Sequence, residues 1–245
     1  MMGKIQMPIK AVLFDMFDTL VMIRKNHDFY SPSLMRMYKY LNQNGIDVSF
    51  DIFQKAYVKT RDELYAKAEG KLEEPHFNVR VAETLKSLGY YHDASSPLVV
   101  AASTEFCSEF TKFVYPDKDA QEVLKALYGK YRLGIVSNFA IPECVHELIK
   151  IHGLDKYIDV VVVSGAINKR KPSPEIFKRA LKALGVSASE TIFVGDTIDA
   201  DIEGAKAVGM KTVYIERRIE QEIGLVQPDK TIKSLSEFPL VLENV

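Results

Sequence analysis

Five short segments are almost wholly apolar, β-branched or aromatic. They are residues 10–15 (KAVLFD), 132–138 (RLGIVSN), 159–164 (DVVVVS), 191–196 (TIFVGD) and 211–215 (KTVYI). Unbroken runs of this length suit strands buried on both faces, as in a parallel sheet. Between the last four runs the spacing becomes helical. Residues 142–152 carry Val145, Leu148 and Ile149. Residues 174–184 carry Ile176, Phe177, Ala180, Leu181 and Leu184, with Gly185 as a stop. Residues 201–208 carry Ile202, Ala205 and Val208, with Gly209 after them. Strand and helix alternate, which predicts an α/β fold built on a doubly wound parallel sheet.

The rhythm breaks after the first strand. More than 100 residues separate Asp15 from Arg132, whereas a parallel crossover needs only a few tens. The interval shows four helical patterns. Ser31-Pro32 reads as an N-cap and first-turn proline, with Gly45 closing that helix. Residues 49–68 place Tyr57, Arg61, Leu64 and Tyr65 along one flank, and residues 77–88 end before Gly89. Residues 97–113 line up Leu98, Ala102, Phe106, Phe110 and Phe113 on one stripe. This predicts a helical domain at residues 23–113, inserted into a core made of residues 1–22 and 114–245. The chain re-enters the core near Tyr115-Pro116, and a helix at 119–128 leads to the second strand. After Ile215 comes a charged stretch at 216–221, a turn at Pro228 and a segment, 232–242, expected to dock on the core.

Composition narrows the function. The 245 residues are 47% hydrophobic and 27% charged, with a formal net charge of -1. That profile is globular and offers no overall attraction for nucleic acid. No apolar run approaches the roughly 18 residues needed to span a membrane, and residues 1–10 show no apolar signal core. Cys107 and Cys144 sit in unrelated contexts, so they suggest neither a disulfide framework nor a metal site. The expectation is a cytoplasmic protein, monomer or homodimer.

The polar residues at the ends of the strands point to chemistry. Asp15, Ser137-Asn138, Ser164 (with Lys171 a loop away) and Asp196 end four different runs. In open α/β sheets ligands bind beyond the carboxyl ends of the strands, so these side chains should meet at one edge. Four motifs then resemble those of the haloacid dehalogenase superfamily. FDMFDTL (14–20) is similar to its first motif, VSN (136–138) to its second, KPSPEIF (171–177) to its third, and VGDTIDADIEGAKAVGM (194–210) to its fourth. The resemblance spans about residues 10–215, and the helical insertion looks like that family's type 1 cap.

The resemblance implies an aspartate-nucleophile hydrolase that uses Mg²⁺ on a phosphorylated metabolite. Asp15 is then the nucleophile, Lys171 the neutralising cation and Ser137 a donor to a phosphoryl oxygen. Thr19 and Asn138 contact substrate. Asp15, Asp196 and the Phe17 carbonyl hold the metal, and Asp201 supports the site. Hard carboxylate and carbonyl oxygens suit Mg²⁺, and an aspartate can form the covalent ester such chemistry needs.

Position 17 departs from the pattern. Phosphatases of the superfamily usually carry a second aspartate there, as general acid, and this chain has Phe17. Asp18 is adjacent but points in a different direction. A general acid contributes roughly 10²–10⁴-fold, so its loss favours substrates whose leaving group departs without a proton. His27, Asp28 and His76 of the insertion are weak candidates to replace it, since solvated roles fit each of them. Arg24, Lys25 and Tyr30 stand where the chain enters the insertion, and Phe139 and Ile141 should line or underlie the cavity. The family's L-2-haloacid dehalogenases tolerate an aromatic residue at the position of Phe17 and need no metal. They carry serine and asparagine where this chain has Gly195-Asp196. Metal-independent dehalogenation and non-catalytic binding of a phosphate ligand are therefore the alternatives.

Overall fold

The structure, a computed structural model, describes residues 8–24, 28–217 and 226–242. The chain begins with strand β1 (Ala11–Phe14) and a short β2 (Val21–Ile23). Four helices follow: α1 (Tyr30–Gln43), α2 (Phe50–Ala68), α3 (Phe77–Ser87) and α4 (Pro97–Phe110). β3 (Val114–Pro116) and α5 (Ala120–Leu127) then lead to β4 (Arg132–Ser137). α6 (Pro142–Ile151), β5 (Val160–Val163), α7 (Ser164–Ile167), α8 (Pro174–Leu184) and β6 (Thr191–Gly195) come next. α9 (Gly204–Ala207), β7 (Lys211–Ile215), β8 (Lys230–Ile232) and α10 (Phe238–Leu242) complete the chain.

Six strands form one sheet in the order β5-β4-β1-β6-β7-β8, and every neighbouring pair is parallel. The predicted doubly wound α/β sheet is therefore present. Its continuous apolar runs are explained by burial on both faces. On β1, Val12 and Phe14 join one buried cluster and Ala11 and Leu13 the other, as alternation along a strand requires. On the second face Phe177 of α8 packs edge-on against Phe193 of β6, with ring centres 5.2 Å apart. On the first face Phe238 meets Phe14 at 5.7 Å, so the C-terminal segment docks on the central strand as expected. The strand β8 that leads into it was not anticipated. Three residues are too few to display a periodicity.

The interval after β1 is helical, as predicted. α1 packs on α4 and α2 on α3. An antiparallel ribbon missing from the sequence reading carries the chain out and back: Val21 pairs with Pro116, Met22 with Tyr115 and Ile23 with Val114. The larger buried cluster runs without a break from Phe14 and Leu20 through Phe110 to Phe77 and Tyr57. The inserted helices thus share apolar contacts with the sheet layer.

Three helix boundaries differ from expectation. Ser31-Pro32 lies inside α1, whose N-cap position is Phe29. The Asp28 carboxylate accepts the Tyr30 and Ser31 backbone N–H groups at 2.9 and 3.1 Å, doing the work assigned to Ser31. α4 stops at Phe110, and residues 111–113 tighten into a single 3₁₀ turn. The helix expected from Asp201 begins earlier as a π-helix, Ile198–Glu203, and turns α-helical only over Gly204–Ala207. π turns are rare and concentrate at functional sites.

Candidate active site

Strand order reverses between β1 and β6, which opens a crevice at their carboxyl ends. The register pairs Phe14 with Val194, and the Asp15 N–H donates to the Val194 carbonyl at 2.8 Å. This brings Asp15 beside Gly195 and Asp196. Carboxylate oxygens of Asp15, Asp196 and Asp201 all lie within 4.8 Å of one another. The Lys171 Nζ sits 2.5 Å from Asp15 Oδ1 and 2.7 Å from Asp201 Oδ1. All four residues are buried, with Asp196 and Asp201 each 1% exposed.

Three carboxylates against one ammonium leave the cluster electron-rich. Burial pushes the Asp201 carboxyl up to about 7. The Lys171 charge opposes the shift, and Asp15 and Asp196 add to it. For Lys171 burial works to lower the pKa, but the Asp15 and Asp201 charges outweigh it and hold the ammonium above its ordinary value. Clustered carboxylates resist simultaneous ionisation unless a cation joins them.

The surrounding residues fix this geometry. The Asn138 side chain grips the Lys171 backbone at both ends, donating to its carbonyl at 3.0 Å and accepting its N–H at 2.7 Å. The Thr19 hydroxyl reaches Asp15 Oδ2 at 3.5 Å, a long contact. Asp201 Oδ2 accepts the Thr197 N–H at 3.0 Å, and the Thr197 hydroxyl donates to Asp196 Oδ1 at 3.1 Å. Asp18 has a left-handed backbone, φ 57°, a conformation that short polar side chains tolerate best. Ser137 is fully buried, and its hydroxyl has no hydrogen-bond partner among the described residues. Ser164 is turned to another task. Its hydroxyl accepts the Phe139 N–H at 2.8 Å and donates to Glu74, tying the insertion to the core.

Gly195 is a site residue that sequence reasoning passed over. A Cβ there would collide with the Asp201 carboxylate, so only glycine leaves room for Asp201 beside Lys171. Its signal was a glycine directly before the last-motif aspartate.

Phe17 is half-buried and stacks into an aromatic group, 4.8 Å from Phe139 and 6.0 Å from Phe110. Phe110, Phe139 and Ile141 also line a cavity of about 270 Å³ under the inserted helices, as expected of Phe139 and Ile141. Tyr30 lines it too. A wider cleft of about 730 Å³ runs from Tyr65 and Leu72 past Lys171 to Thr197. Of the candidate acids, Asp28 is engaged in starting α1. His76 is the N-cap of α3, with its other ring nitrogen 3.1 Å from Glu143. His27 lies outside the described residues, as does Lys25, while the Arg24 N–H bonds the Phe113 carbonyl at 3.0 Å.

A doubly wound sheet with helices inserted after its first strand, and a buried Asp-Asp-Asp-Lys cluster at the switch point, defines a hydrolase of one class. The sequence profile of the haloacid dehalogenase-like hydrolases matches residues 9–209, and the chain belongs to that family. Over 218 residues it is 32% identical to a glyceraldehyde 3-phosphate phosphatase of Methanopyrus kandleri, covering 88% of this chain and 87% of that one. A phosphatase of the family from Thermococcus onnurineus superposes with a TM-score of 0.67 at 26% identity, covering 96% and 98% of the two chains. A 2-haloacid dehalogenase from Pseudomonas syringae superposes with a TM-score of 0.74 at 22% identity, covering 96% and 99%. This last likeness speaks to the fold alone. Among the described residues no helix is long and apolar enough to cross a membrane.

Proposed function

We propose that this hydrolase is a Mg²⁺-dependent phosphohydrolase acting on a small phosphorylated metabolite with a good leaving group. The observation that carries the reading is the buried trio of carboxylates within 4.8 Å, paired to a single lysine. Its relatives named as phosphatases support it. A haloacid anion would be repelled by the same trio.

Asp15 is the nucleophile. One of its oxygens attacks phosphorus, the ester bond to the leaving group breaks, and water then cleaves the aspartyl phosphate to release phosphate and restore the carboxylate. Lys171 neutralises charge on the nucleophile and on the phosphoryl oxygens. Ser137, whose buried hydroxyl has no other partner among the described residues, donates to a phosphoryl oxygen. Asp201 and Asn138 hold Lys171 in place, and Thr19 steadies Asp15. The oxygen-only donor set fits a hard divalent cation, with Asp15, Asp196 and the Phe17 carbonyl holding it. Bound there, Mg²⁺ supplies charge stabilisation to the transferring phosphoryl group. We assign residues 23–113 as the cap over the site and residues 1–22 and 114–245 as the catalytic core. Two buried, unpaired cysteines suit the reducing cytoplasm.

The aromatic Phe17 leaves the leaving-group oxygen without the usual acid, so aryl and acyl phosphates should turn over and alkyl phosphates lag. The test is phosphate release from an aryl phosphate with Mg²⁺ and with EDTA, beside Asp15→Asn. Release that needs both metal and Asp15 is expected. Chloride release from 2-chloropropionate in EDTA would instead establish the dehalogenase, which the aromatic Phe17 favours. A phosphate ester that raises the melting temperature yet stays intact would mark a binder.

A further inference from the structure

The 270 Å³ cavity under the inserted helices is lined by a buried cation that forms no ion pair among the described residues. Arg80 of α3 is 8% exposed, and among the described residues no carboxylate pairs with it. Two of its N–H groups reach phenol oxygens, Tyr57 at 3.2 Å and Tyr65 at 3.1 Å, and its Nε–H has no partner among the described residues. The Tyr57 phenol cannot serve as an anion. Burial holds its pKa above the ordinary range, and its oxygen is shared with the Tyr30 hydroxyl at 2.8 Å. Rings of Tyr65, Phe77 and Tyr57 lie 5.1, 5.3 and 5.9 Å from the guanidinium. Cation–π attraction of this kind offsets only a small part of what burying an unpaired charge costs.

The rest of the cavity is mostly aromatic and apolar. Phe29, Phe106, Phe110 and Phe139 form its walls. An apolar cavity of roughly 150 Å³ holds benzene, so 270 Å³ has room for a ring and one substituent. Glu74 also lines it, held by the Ser164 hydroxyl on the core side and forming no ion pair with Arg80. A second anion is therefore directed to the Arg80 end. The slot meets the catalytic edge through Phe110 and Phe139, which contact Phe17, and through Asn138, which grips Lys171.

We propose that Arg80 and this aromatic slot form a substrate-selecting subsite for a flat apolar group bearing a carboxylate, so that preferred substrates are carboxylated aryl phosphates. The planar guanidinium fork matches a carboxylate bidentately, and a ligand anion supplies the missing counter-charge. The substrate preference rests on the phosphohydrolase reading; the subsite itself does not.

The experiment has two arms. In the first, kcat/KM is compared for 3-carboxyphenyl phosphate and its neutral isostere 3-carbamoylphenyl phosphate. The wild type should prefer the carboxylate at least tenfold, and Arg80→Gln should bring the ratio near one. In the second, calorimetry follows benzoate against benzamide without turnover. Benzoate should bind the wild type and weaken at least tenfold in Arg80→Gln. If that variant does not fold, Arg80→Lys is read on both arms, and its point charge should lose part of each preference. A wild-type ratio near one, or benzoate affinity unchanged in the variant, overturns the inference. If neither ester is hydrolysed while benzoate binding depends on Arg80, the phosphohydrolase reading falls and the subsite stands.

Discussion

Replacing Lys171 by methionine removes the ammonium held 2.5 Å from Asp15 and 2.7 Å from Asp201, at a position 3% exposed. The methionine keeps most of the packing volume, so the change is mainly electrostatic. Removing one partner of a buried pair costs about 3–5 kcal/mol, because the remaining charge stays buried. Here the remaining charges are three carboxylates within 4.8 Å. Already in the wild type burial holds Asp201 up to about 7, with the Lys171 charge opposing the shift, and without Lys171 that carboxyl is pushed higher. A carboxyl whose folded value exceeds its unfolded value binds more protons when folded. Its stabilising effect is full below the unfolded value, near 4, and is lost as pH rises through the folded value. The deficit of Lys171→Met should therefore be largest at pH 8. It should shrink towards pH 5 by up to about 1.4 kcal/mol per pH unit for each carboxyl that takes up a proton. A divalent cation should do at pH 8 what protons do at pH 5, since Mg²⁺ at 100 times its Kd adds about 2.7 kcal/mol. Urea unfolding followed by circular dichroism, at both pH values with and without Mg²⁺, reads all of this. A deficit equal at pH 5 and pH 8 and indifferent to Mg²⁺ would refute the claim that Lys171 balances the carboxylates.

Phe17→Asp should raise the ratio of kcat/KM on alkyl over aryl phosphates by roughly 10²-fold, the lower range of general-acid effects. It should also lose about 0.5–1.5 kcal/mol for each ring contact with Phe139 and Phe110; an unchanged ratio would show that position 17 does not face the leaving group. Gly195→Ala places a methyl on the Asp201 carboxylate, so it should destabilise by about 1–3 kcal/mol and lower kcat at least tenfold, read by thermal melting and steady-state kinetics. Glu190 pairs with Lys10 at 2.6 Å and bonds Ser187, which hold its carboxyl down at about 2. That contribution is present above the unfolded value near 4.5 and disappears as pH falls through about 2. Wild type and Glu190→Gln should differ in urea midpoint at pH 7 and converge only once pH falls below about 2, and a gap that persists there would contradict the pairing.

Much of the fold is written in local patterns. The run KTVYI matches β7 residue for residue, and PEIFKRALKAL followed by Gly185 matches α8 with its left-handed stop at φ 70°. Such signals are legible because periodicity, β-branching and a terminal glycine act within a few residues. The ribbon of β2 and β3 was not legible, since each strand exists only because the other, distant in the chain, lies against it, as Val21 does against Pro116. The π turn at Ile198–Glu203 is of the same kind. Asp201 reads as a helix opener, yet it lies within the turn, with its carboxylate between the Thr197 N–H and Lys171.

The candidate site divides along the same line. The sequence by itself determined which residue types end the strands: Asp15, Ser137, Asn138 and Asp196, with Lys171 a loop away. In a parallel sheet, strand ends converge whatever the detail of packing. Only the tertiary structure decided what those groups do to one another. It set the Lys171 ammonium between two carboxylates, gave both ends of the Asn138 amide to the Lys171 backbone, and left the Ser137 hydroxyl without a partner among the described residues. It also turned Arg80, one more charge on a helix pattern, into a buried cation facing an aromatic slot. The physical reason is range. Helix and strand signals are summed over neighbours in sequence, whereas desolvation and charge pairing depend on which distant segments exclude water from the same few ångströms.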